Sequence, residues 1–371
     1  MSVTSLVADL GIRSTLVQIL AQKQSGRAWS LAVNAGLLAG TASGLLLGAL
    51  VALLLPHLSS HFGGLTSHPL GFVLLVVGVA AAVVATDIDY VFVAERQAWK
   101  MFARNSVFTL MRFPIVIILG WMAGRTGWTS LFGAWIVATL VSCVAGIALF
   151  RRVRRGYAVA VRGSVAQIRS FGTSSAGHHF INLGGALPPL FLPLLVTTRL
   201  SASANAYFYV TWMMCSVFFM VSPSIAVSLF AEGARSRTSS RAALIRSAWL
   251  IGILIAPTML IYLTTGHWLL GLFGPAYARQ GQTLLVLLVA SAIPDAVTNI
   301  YISRLRIQQR LSTGAALNIG MGLCTLLGSW VLMPAWGIAA PGACWLGAQV
   351  GGTVFCVADA LVRRRAGSLR H

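Results

Sequence analysis

Charged residues are scarce in this sequence of 371 residues, because Asp, Glu, Lys and Arg together make up only 9%. Soluble domains contain about 25% charged residues, so the composition excludes a chain built from water-soluble domains. Apolar residues take their place: they make up 57%, and the mean hydropathy is +0.82. These values predict an all-α, polytopic membrane protein.

Only seven residues are acidic, and none of them falls in a connection that we assign below to the outer face. A membrane glycosyltransferase or ligase working on that face needs carboxylates there for acid–base or metal chemistry. The five cysteines lie in apolar stretches, with no CxxC pair and no His/Cys cluster at metal spacing. No GxxxxGKS/T phosphate loop occurs either. The sequence therefore argues against an enzyme, and we predict no metal, cofactor or ATPase site.

Ten apolar stretches are long enough to cross a membrane as helices, because a hydrocarbon core of ~30 Å requires about 20 apolar residues. A shorter apolar piece at 3–20 has neither a basic start nor a small-residue cleavage site, so it is not a signal peptide. We interpret it as the end of a helix whose beginning is absent, with Asp9 and Arg13 spaced for a helical ion pair. The ten predicted spans are approximately 29–55, 69–91, 106–123, 129–150, 174–198, 205–230, 243–264, 282–303, 312–333 and 337–361.

Lysine and arginine are distributed very unevenly among the connections between these spans. Twenty-two of them fall in alternate connections and the C-terminal tail, whereas only Arg125, Arg199 and Arg279 fall in the others. Because basic connections remain in the cytoplasm, we predict a multi-pass membrane protein with a cytoplasmic C-terminus. The net charge of +20 then indicates contact with anionic inner-leaflet lipids. Nucleic acid is not an expected partner, since no soluble module presents a basic face.

The longest basic connection, residues 151–172, divides the chain into two parts. We predict an incomplete N-terminal helical lobe over 1–150 and a C-terminal lobe of six helices over 173–371. Duplicated halves with a site between them are common in secondary transporters.

A weak internal repeat supports this division. In the first half, Phe62-Gly63 precedes an Ala/Val/Leu-rich span that contains Asp87 and Asp89. In the second half, Phe273-Gly274 precedes a similar span that contains Asp295. The repeat is typical of a duplicated transporter, although apolar spans also resemble each other by chance.

Loose patterns of Gly, Pro, Phe and aliphatic residues occur in four segments: ADLGIRSTLVQILA (8–21), LFAEGAR (229–235), LLGLFGPAYARQGQTLL (269–285) and WGIAAPGACWLGAQ (336–349). These segments resemble the polysaccharide flippases of the Wzx type. That family shares a MATE-like superfamily with the lipid II flippases and the multidrug and toxin exporters. The resemblance runs over essentially the whole chain.

The resemblance implies two helical lobes around a central cavity and transport by alternating access. It implies a location in the bacterial inner (cytoplasmic) membrane. It also implies an undecaprenyl-diphosphate-linked oligosaccharide as cargo, moved from the cytoplasmic to the outer leaflet, with a proton or sodium as coupling ion. Other polysaccharide assembly proteins are expected partners. Family members usually have at least twelve spans, so if 3–20 matches the end of their second helix, this chain lacks their first helix.

Arginine is suited to a diphosphate because its planar guanidinium binds two oxygens at once. Arg112 lies about 10 Å into its span at 1.5 Å per residue. We predict that both Arg112 and Arg13 contact the substrate. The alternatives are that Arg112 extends back to the headgroups and that Arg13 pairs with Asp9. Asn182 and Asn299 are candidate sugar-binding groups.

Ion coupling is predicted at intramembrane titratable groups, which are functional candidates by default. Asp295 follows Pro294 past the middle of its span, and its alternative role is to satisfy the backbone that the proline loosens. Asp87 is the second candidate, although it could pair with a nearby basic residue instead. The adjacent pair His178 and His179 is the third candidate for ion coupling, and its alternative is an incidental pair at a polar helix end. Three prolines further along the same helix, Pro188, Pro189 and Pro193, are predicted to bend or break it.

Three rival functions remain open from the sequence. A drug or cation antiporter of the same superfamily would use acids as its main binding groups, whereas a flippase would use arginines. A glycan polymerase or ligase is disfavoured by the acid-free outer connections. A non-transporting scaffold in polysaccharide assembly is the third.

Overall fold

A computed structural model describes residues 2–22, 26–58, 69–122, 128–154, 156–168, 171–236 and 241–368. Within these ranges all the regular structure is α-helical, in thirteen helices. Phe62-Gly63, Arg125 and Arg155, which contributed to the repeat and the charge pattern, lie outside the described residues.

The contacts between residues group the chain into two compact units, Met1–His179 and Phe180–His371. The first unit holds seven helices and the start of the eighth: α1 (Ser2–Ala8), α2 (Ile12–Leu20), α3 (Gly26–Leu58), α4 (Pro69–Ala94), α5 (Ala98–Met122), α6 (Trp128–Val153), α7 (Val161–Ile168) and α8 (Gly172–Arg199). The second unit holds the rest of α8 and five more: α9 (Ala202–Ser236), α10 (Arg241–Gly271), α11 (Pro275–Ile307), α12 (Leu311–Trp336) and α13 (Ala339–Ser368). The predicted lobes over 1–150 and 173–371 remain a prediction.

Ten of the described helices are long and apolar enough to cross a membrane, namely α3 to α6 and α8 to α13. Each of them contains or closely overlaps one of the ten predicted spans, so the predicted all-α, ten-span architecture is confirmed. Most observed helices extend several residues beyond the predicted spans. The extensions carry polar and basic residues, which a hydropathy criterion leaves out although the helix continues through them.

The apolar piece at 3–20 differs from the prediction of one continuous helix end. The chain turns between α1 and α2, where Leu10 has φ 48° and Gly11 has φ 77°. Asp9 stabilises this turn, because its carboxylate accepts hydrogen bonds from the backbone N–H of Gly11 (3.2 Å) and of Arg13 (3.1 Å). We call this turn, residues 9–13, the elbow.

A row of glycines on α3 brings this helix close to α4. A Cβ atom at Gly44 would lie 2.6 Å from the Cα atom of Ala80, and a Cβ atom at Gly48 would lie 3.0 Å from that of Val76. Only small residues permit such close packing in a membrane, where apolar burial does not by itself drive helices together. The glycine-rich run at 36–48 therefore fixes α3 against α4, the central helix of the first unit.

In the second unit, α11 is the central helix and packs against α9, α10 and α13. Its leucines, including Leu284 and Leu288, are buried in a cluster with Phe208, Trp212 and Phe218 of α9. Helix α8 is continuous through Pro188, Pro189 and Pro193, so of the two predicted effects of these prolines, bending or breaking the helix, breaking is excluded. In a membrane helix, side chains and neighbouring helices can satisfy the carbonyl groups that prolines leave without partners.

Candidate functional site

The first candidate site lies at the elbow, where Arg13 approaches two groups. Its Nε atom is 3.3 Å from Oδ2 of Asp9, and its guanidinium carbon lies 5.5 Å from the ring centroid of Tyr90 on α4. Asp9 is buried and Arg13 is largely buried. The predicted Asp9–Arg13 pair therefore forms, but across the turn and not along a single helix.

A small cavity of about 190 Å³ opens beside this ion pair, lined by residues of α1, α2, α4 and the elbow: Ser5, Leu6, Asp9, Arg13, Val83 and Thr86. Its polar groups are a carboxylate, a guanidinium and two hydroxyls. The volume holds several waters, since each occupies about 30 Å³ in the liquid, but it is too small for an oligosaccharide. The cavity can therefore contain a small ion with its waters.

Asp87 lies one turn of α4 from Val83 and is completely buried. Neither of its carboxylate oxygens has a hydrogen-bond partner among the described residues. Gly40 on α3 makes the space for this carboxylate, because a Cβ atom at Gly40 would overlap Oδ2 of Asp87. The structure therefore places a bare carboxylate inside the first unit, and the predicted alternative of a basic partner does not hold for Asp87.

Asp89, two residues after Asp87 on α4, does have a basic partner. Its two oxygens accept hydrogen bonds of 2.7 Å each from Nε and Nη2 of Arg104 on α5. Nη1 of Arg104 also donates to Ser142 on α6 (3.0 Å). Residues two apart on a helix point in different directions, so Asp89 joins three helices while Asp87 faces α3.

The predicted histidine pair lies at the start of α8, against α2. His178 is buried, and its Nε2 atom is 3.0 Å from Oε1 of Gln18. One turn earlier, Ser175 shares a 2.9 Å hydrogen bond with Thr15. These contacts connect α8 to the helix that carries Arg13, so they favour a role for His178 in positioning the elbow.

The second candidate site surrounds Asp295 on α11. Asp295 is buried, and its Oδ2 atom has no hydrogen-bond partner among the described residues. Its backbone carbonyl accepts from Thr298 (2.9 Å) and Asn299 (2.9 Å) of the same helix. Across the unit, Gln349 of α13 accepts a 2.8 Å hydrogen bond from Thr298.

The residue before this carboxylate, Pro294, is contacted by a side chain of α13. Its carbonyl oxygen accepts a hydrogen bond of 3.3 Å from Thr353 of α13. Hydroxyl and amide side chains therefore donate hydrogen bonds to the backbone carbonyls of Pro294 and Asp295. Oδ2 of Asp295 takes part in no hydrogen bond among the described residues. This arrangement favours the functional interpretation of Asp295 over the interpretation as a backbone partner.

The remaining predicted substrate groups lie elsewhere. Asn182 accepts a 2.8 Å hydrogen bond from Arg306, and Asn299 donates to Asp295 as described. Arg112 is exposed on α5 and takes part in none of the hydrogen bonds or ion pairs found among the described residues. The structure does not bring Arg112 and Arg13 together in one described cluster, and their contact with substrate remains a prediction.

Among the described residues, no three His, Cys, Asp or Glu side chains group as a metal site would require. Several contributors were not predicted from the sequence, namely Gly40, Tyr90, Gln18, Thr298 and Gln349. The period-four glycines of α3 were a signal for close packing, but nothing local indicates that Gly40 faces Asp87. Contacts of this kind depend on which helix lies opposite.

Neither a protein-family model nor a curated protein sequence matches this chain. Solved structures do match it over nearly its whole length. The eukaryotic MATE transporter AtDTX14 has a TM-score of 0.76 at 15% identity, over 97% of this chain and 84% of that one. The chain has the MATE transporter fold.

Two further structures with this fold show its range. An inward-facing multidrug resistance MATE family transporter of the MOP superfamily matches with a TM-score of 0.65 at 13% identity, over 100% of this chain and 89% of that one. A MOP superfamily transporter from Pyrococcus furiosus, described as having a binding pocket of reversed polarity, matches with a TM-score of 0.68 at 14% identity, over 99% and 85%. With the ten apolar helices, these similarities make the chain a multi-pass membrane protein of MATE-like architecture.

Proposed function

We propose that this protein is an ion-coupled secondary transporter that works by alternating access. The observation that carries the proposal is one carboxylate in each unit, Asp87 and Asp295, that is buried at membrane depth with an oxygen lacking a hydrogen-bond partner among the described residues. An unpaired carboxylate in an apolar interior is very unfavourable unless a proton or a cation neutralises it. Binding and release of that proton or cation is the chemistry of a coupling site.

The proposed cargo is an undecaprenyl-diphosphate-linked oligosaccharide, moved from the cytoplasmic to the outer leaflet of the bacterial inner membrane. The four flippase-like segments support this substrate. Arg13 is proposed to contact the diphosphate alone, because the cavity that its guanidinium lines is too small for the oligosaccharide. Arg112, exposed at mid-span depth on α5, remains the second proposed diphosphate contact. In this proposal the basic connections and the C-terminus face the cytoplasm.

A drug antiporter is the second candidate function, and two observations favour it. The fold is shared with a multidrug resistance transporter, and two of the buried charged groups that have an atom without a hydrogen-bond partner among the described residues are the acids Asp87 and Asp295, which are suited to bind cationic drugs. The two functions differ in which residues must be charged. A flippase requires Arg13 or Arg112, whereas a drug antiporter requires Asp87 or Asp295 for binding as well as for coupling.

The first experiment measures polyprenyl-linked glycans by mass spectrometry in cells without the gene, together with efflux of a cationic dye. A flippase predicts that completed lipid-linked repeats accumulate and that the 371-residue chain relieves the accumulation. A drug antiporter predicts that dye efflux is faster in cells that carry the gene than in cells without it, and that the glycans are the same in both. If neither quantity depends on the gene, the proposed transport function is wrong and the scaffold function gains support.

The second experiment tests coupling and substrate contact in the same cells. Asp87→Asn and Asp295→Asn remove a buried charge without changing shape, so we expect folded protein with at least tenfold lower uphill transport. Glu232→Gln is the matched control, because Glu232 is partly exposed and pairs with Arg246 at the protein surface. Arg112→Ala should abolish glycan export while Arg112→Lys restores it in part; unchanged export in Arg112→Ala would remove Arg112 from the site.

A further inference from the structure

An apolar groove runs between α12 and α13 in the second unit and encloses about 560 Å³. Small residues form much of its wall, including Gly320 from α12 and Gly347 and Gly351 from α13. A Cβ atom at any of these three glycines would have no other atom within 4 Å. The groove is therefore open space that ordinary side chains could fill, at positions where glycine disfavours the helix by about 1 kcal/mol relative to alanine.

The groove has the length of one bilayer leaflet. Its lining extends on α12 from Thr313 to Cys324 and on α13 from Cys344 to Phe355. At a rise of 1.5 Å per residue, each stretch covers about 16 Å, which is about half of a hydrocarbon core of ~30 Å. A single acyl chain of one leaflet matches this length, whereas a polyprenyl chain would extend well beyond it.

A positive charge lies at one end of the groove. Arg310 approaches Asp359 at 2.6 Å, and Arg363 approaches the same carboxylate at 3.2 Å. Because two guanidinium groups share one carboxylate, this cluster keeps a net positive charge. Nη2 of Arg310 also lies 3.4 Å from Oγ1 of Thr313, which lines the groove. The charge therefore lies where a lipid phosphate would be if its acyl chain occupied the groove.

We propose that this groove binds one acyl chain of an anionic phospholipid, whose phosphate contacts Arg310 and Arg363. The proposal concerns a resident lipid and does not depend on which substrate is transported. A second copy of the chain is a less favourable occupant, because a two-fold interface through this face would place the same positive ends near each other.

Native mass spectrometry tests the proposal on the full chain in detergent, titrated with phosphatidylglycerol or with phosphatidylcholine of the same acyl length. We expect one phosphatidylglycerol to bind at least tenfold more tightly than phosphatidylcholine. The double variant Gly347→Leu/Gly351→Leu fills the groove, and its affinity for phosphatidylglycerol should be at least tenfold lower. Gly252→Leu is the matched control, since Gly252 also has open space around it but lies on α10.

Arg363→Gln tests the headgroup contact separately, because this side chain is about half exposed and its loss should leave the fold intact. Removing one surface arginine should weaken phosphatidylglycerol binding about fivefold and leave phosphatidylcholine binding unchanged. Equal binding of both lipids, or no loss in the groove-filled variant, would overturn the proposal. Two other outcomes would assign the groove to a different occupant and also overturn the proposal. One is displacement of phosphatidylglycerol by equimolar undecaprenyl phosphate, and the other is a dimer that only the groove-filled variant loses.

Discussion

Gly11 lies at the elbow between α1 and α2, and its replacement by alanine meets two separate costs. The first is conformational, because the φ angle of 77° lies in the left-handed region, which costs an L-residue about 1–2 kcal/mol. The second is steric: a Cβ atom at Gly11 would overlap the carbonyl oxygen of Ser175 and lie 2.7 Å from the backbone nitrogen of His179. Both atoms belong to the backbone of α8, so neither can move without displacing that helix.

We expect Gly11→Ala to lower the free energy of unfolding by about 2–5 kcal/mol, since forcing extra atoms into a packed interior adds about 1–3 kcal/mol to the conformational cost. Gly156→Ala is the matched control. Gly156 also has a positive φ, 92°, but a Cβ atom there would have nothing within 4 Å. Its replacement should cost only the conformational part, about 1–2 kcal/mol.

The free energy of unfolding can be followed by far-UV circular dichroism in mixed micelles as the fraction of dodecyl sulfate increases. The difference between the two variants isolates the contact between the elbow and α8, and we expect it to be about 1–3 kcal/mol. Equal destabilisation by Gly11→Ala and Gly156→Ala would refute the reasoning, because it would mean that the elbow does not press against α8 as the structure shows.

Three further predictions concern buried polar contacts of the first unit. Arg104→Met leaves the largely buried Asp89 without its arginine partner and should lower the free energy of unfolding by about 3–5 kcal/mol. The double variant Arg104→Met/Asp89→Leu should recover most of that loss. A double variant no more stable than the single one would contradict this. Tyr157→Phe removes the 2.8 Å hydrogen bond to Asn34 and should cost about 1 kcal/mol at neutral pH. Burial raises the pKa of Tyr157. Its contribution to the free energy of unfolding is therefore present below the ordinary tyrosine pKa of about 10 and is lost as the pH rises further. The difference in unfolding free energy between wild type and Tyr157→Phe should shrink in unfolding curves above that pH.

Composition and hydropathy were sufficient to predict the ten spans, because each span alone must satisfy the bilayer. The elbow could not be predicted from the spacing of Asp9 and Arg13, since an acid and a base four residues apart attract each other both along a helix and across a capped turn. The Gly at position 11 was the available signal. An Asp two residues before a Gly is common where a helix is interrupted and restarted.

The pairing of Asp89, and not Asp87, with Arg104 also lay beyond the sequence. Arg96, Lys100 and Arg104 follow both acids at similar distances, 9, 13 and 17 residues after Asp87 and 7, 11 and 15 residues after Asp89, so proximity in sequence does not distinguish the two. The distinction is made by rotation about the α4 axis: one face of α4 meets α5 and α6, and the other meets the glycine row of α3. Which face meets which helix is a tertiary property, and hydropathy contains no information on it.

Asp87 and Asp295 each lie on the central helix of their unit, as the weak sequence repeat suggests. Asp87 lies on a helix that begins at Pro69, and Asp295 lies on one that begins at Pro275. These helices, α4 and α11, have the most buried apolar windows among the described spans, at 44% and 50%. Each acid therefore lies past the middle of the central helix of its unit. The two positions do not match residue for residue, because Asp295 lies 20 residues after Pro275, as Asp89 does after Pro69, whereas Asp87 lies 18 residues after Pro69. Since both acids are buried, we expect Asp87→Asn and Asp295→Asn each to impair transport, and unimpaired transport in either variant would remove that acid from the proposed coupling site.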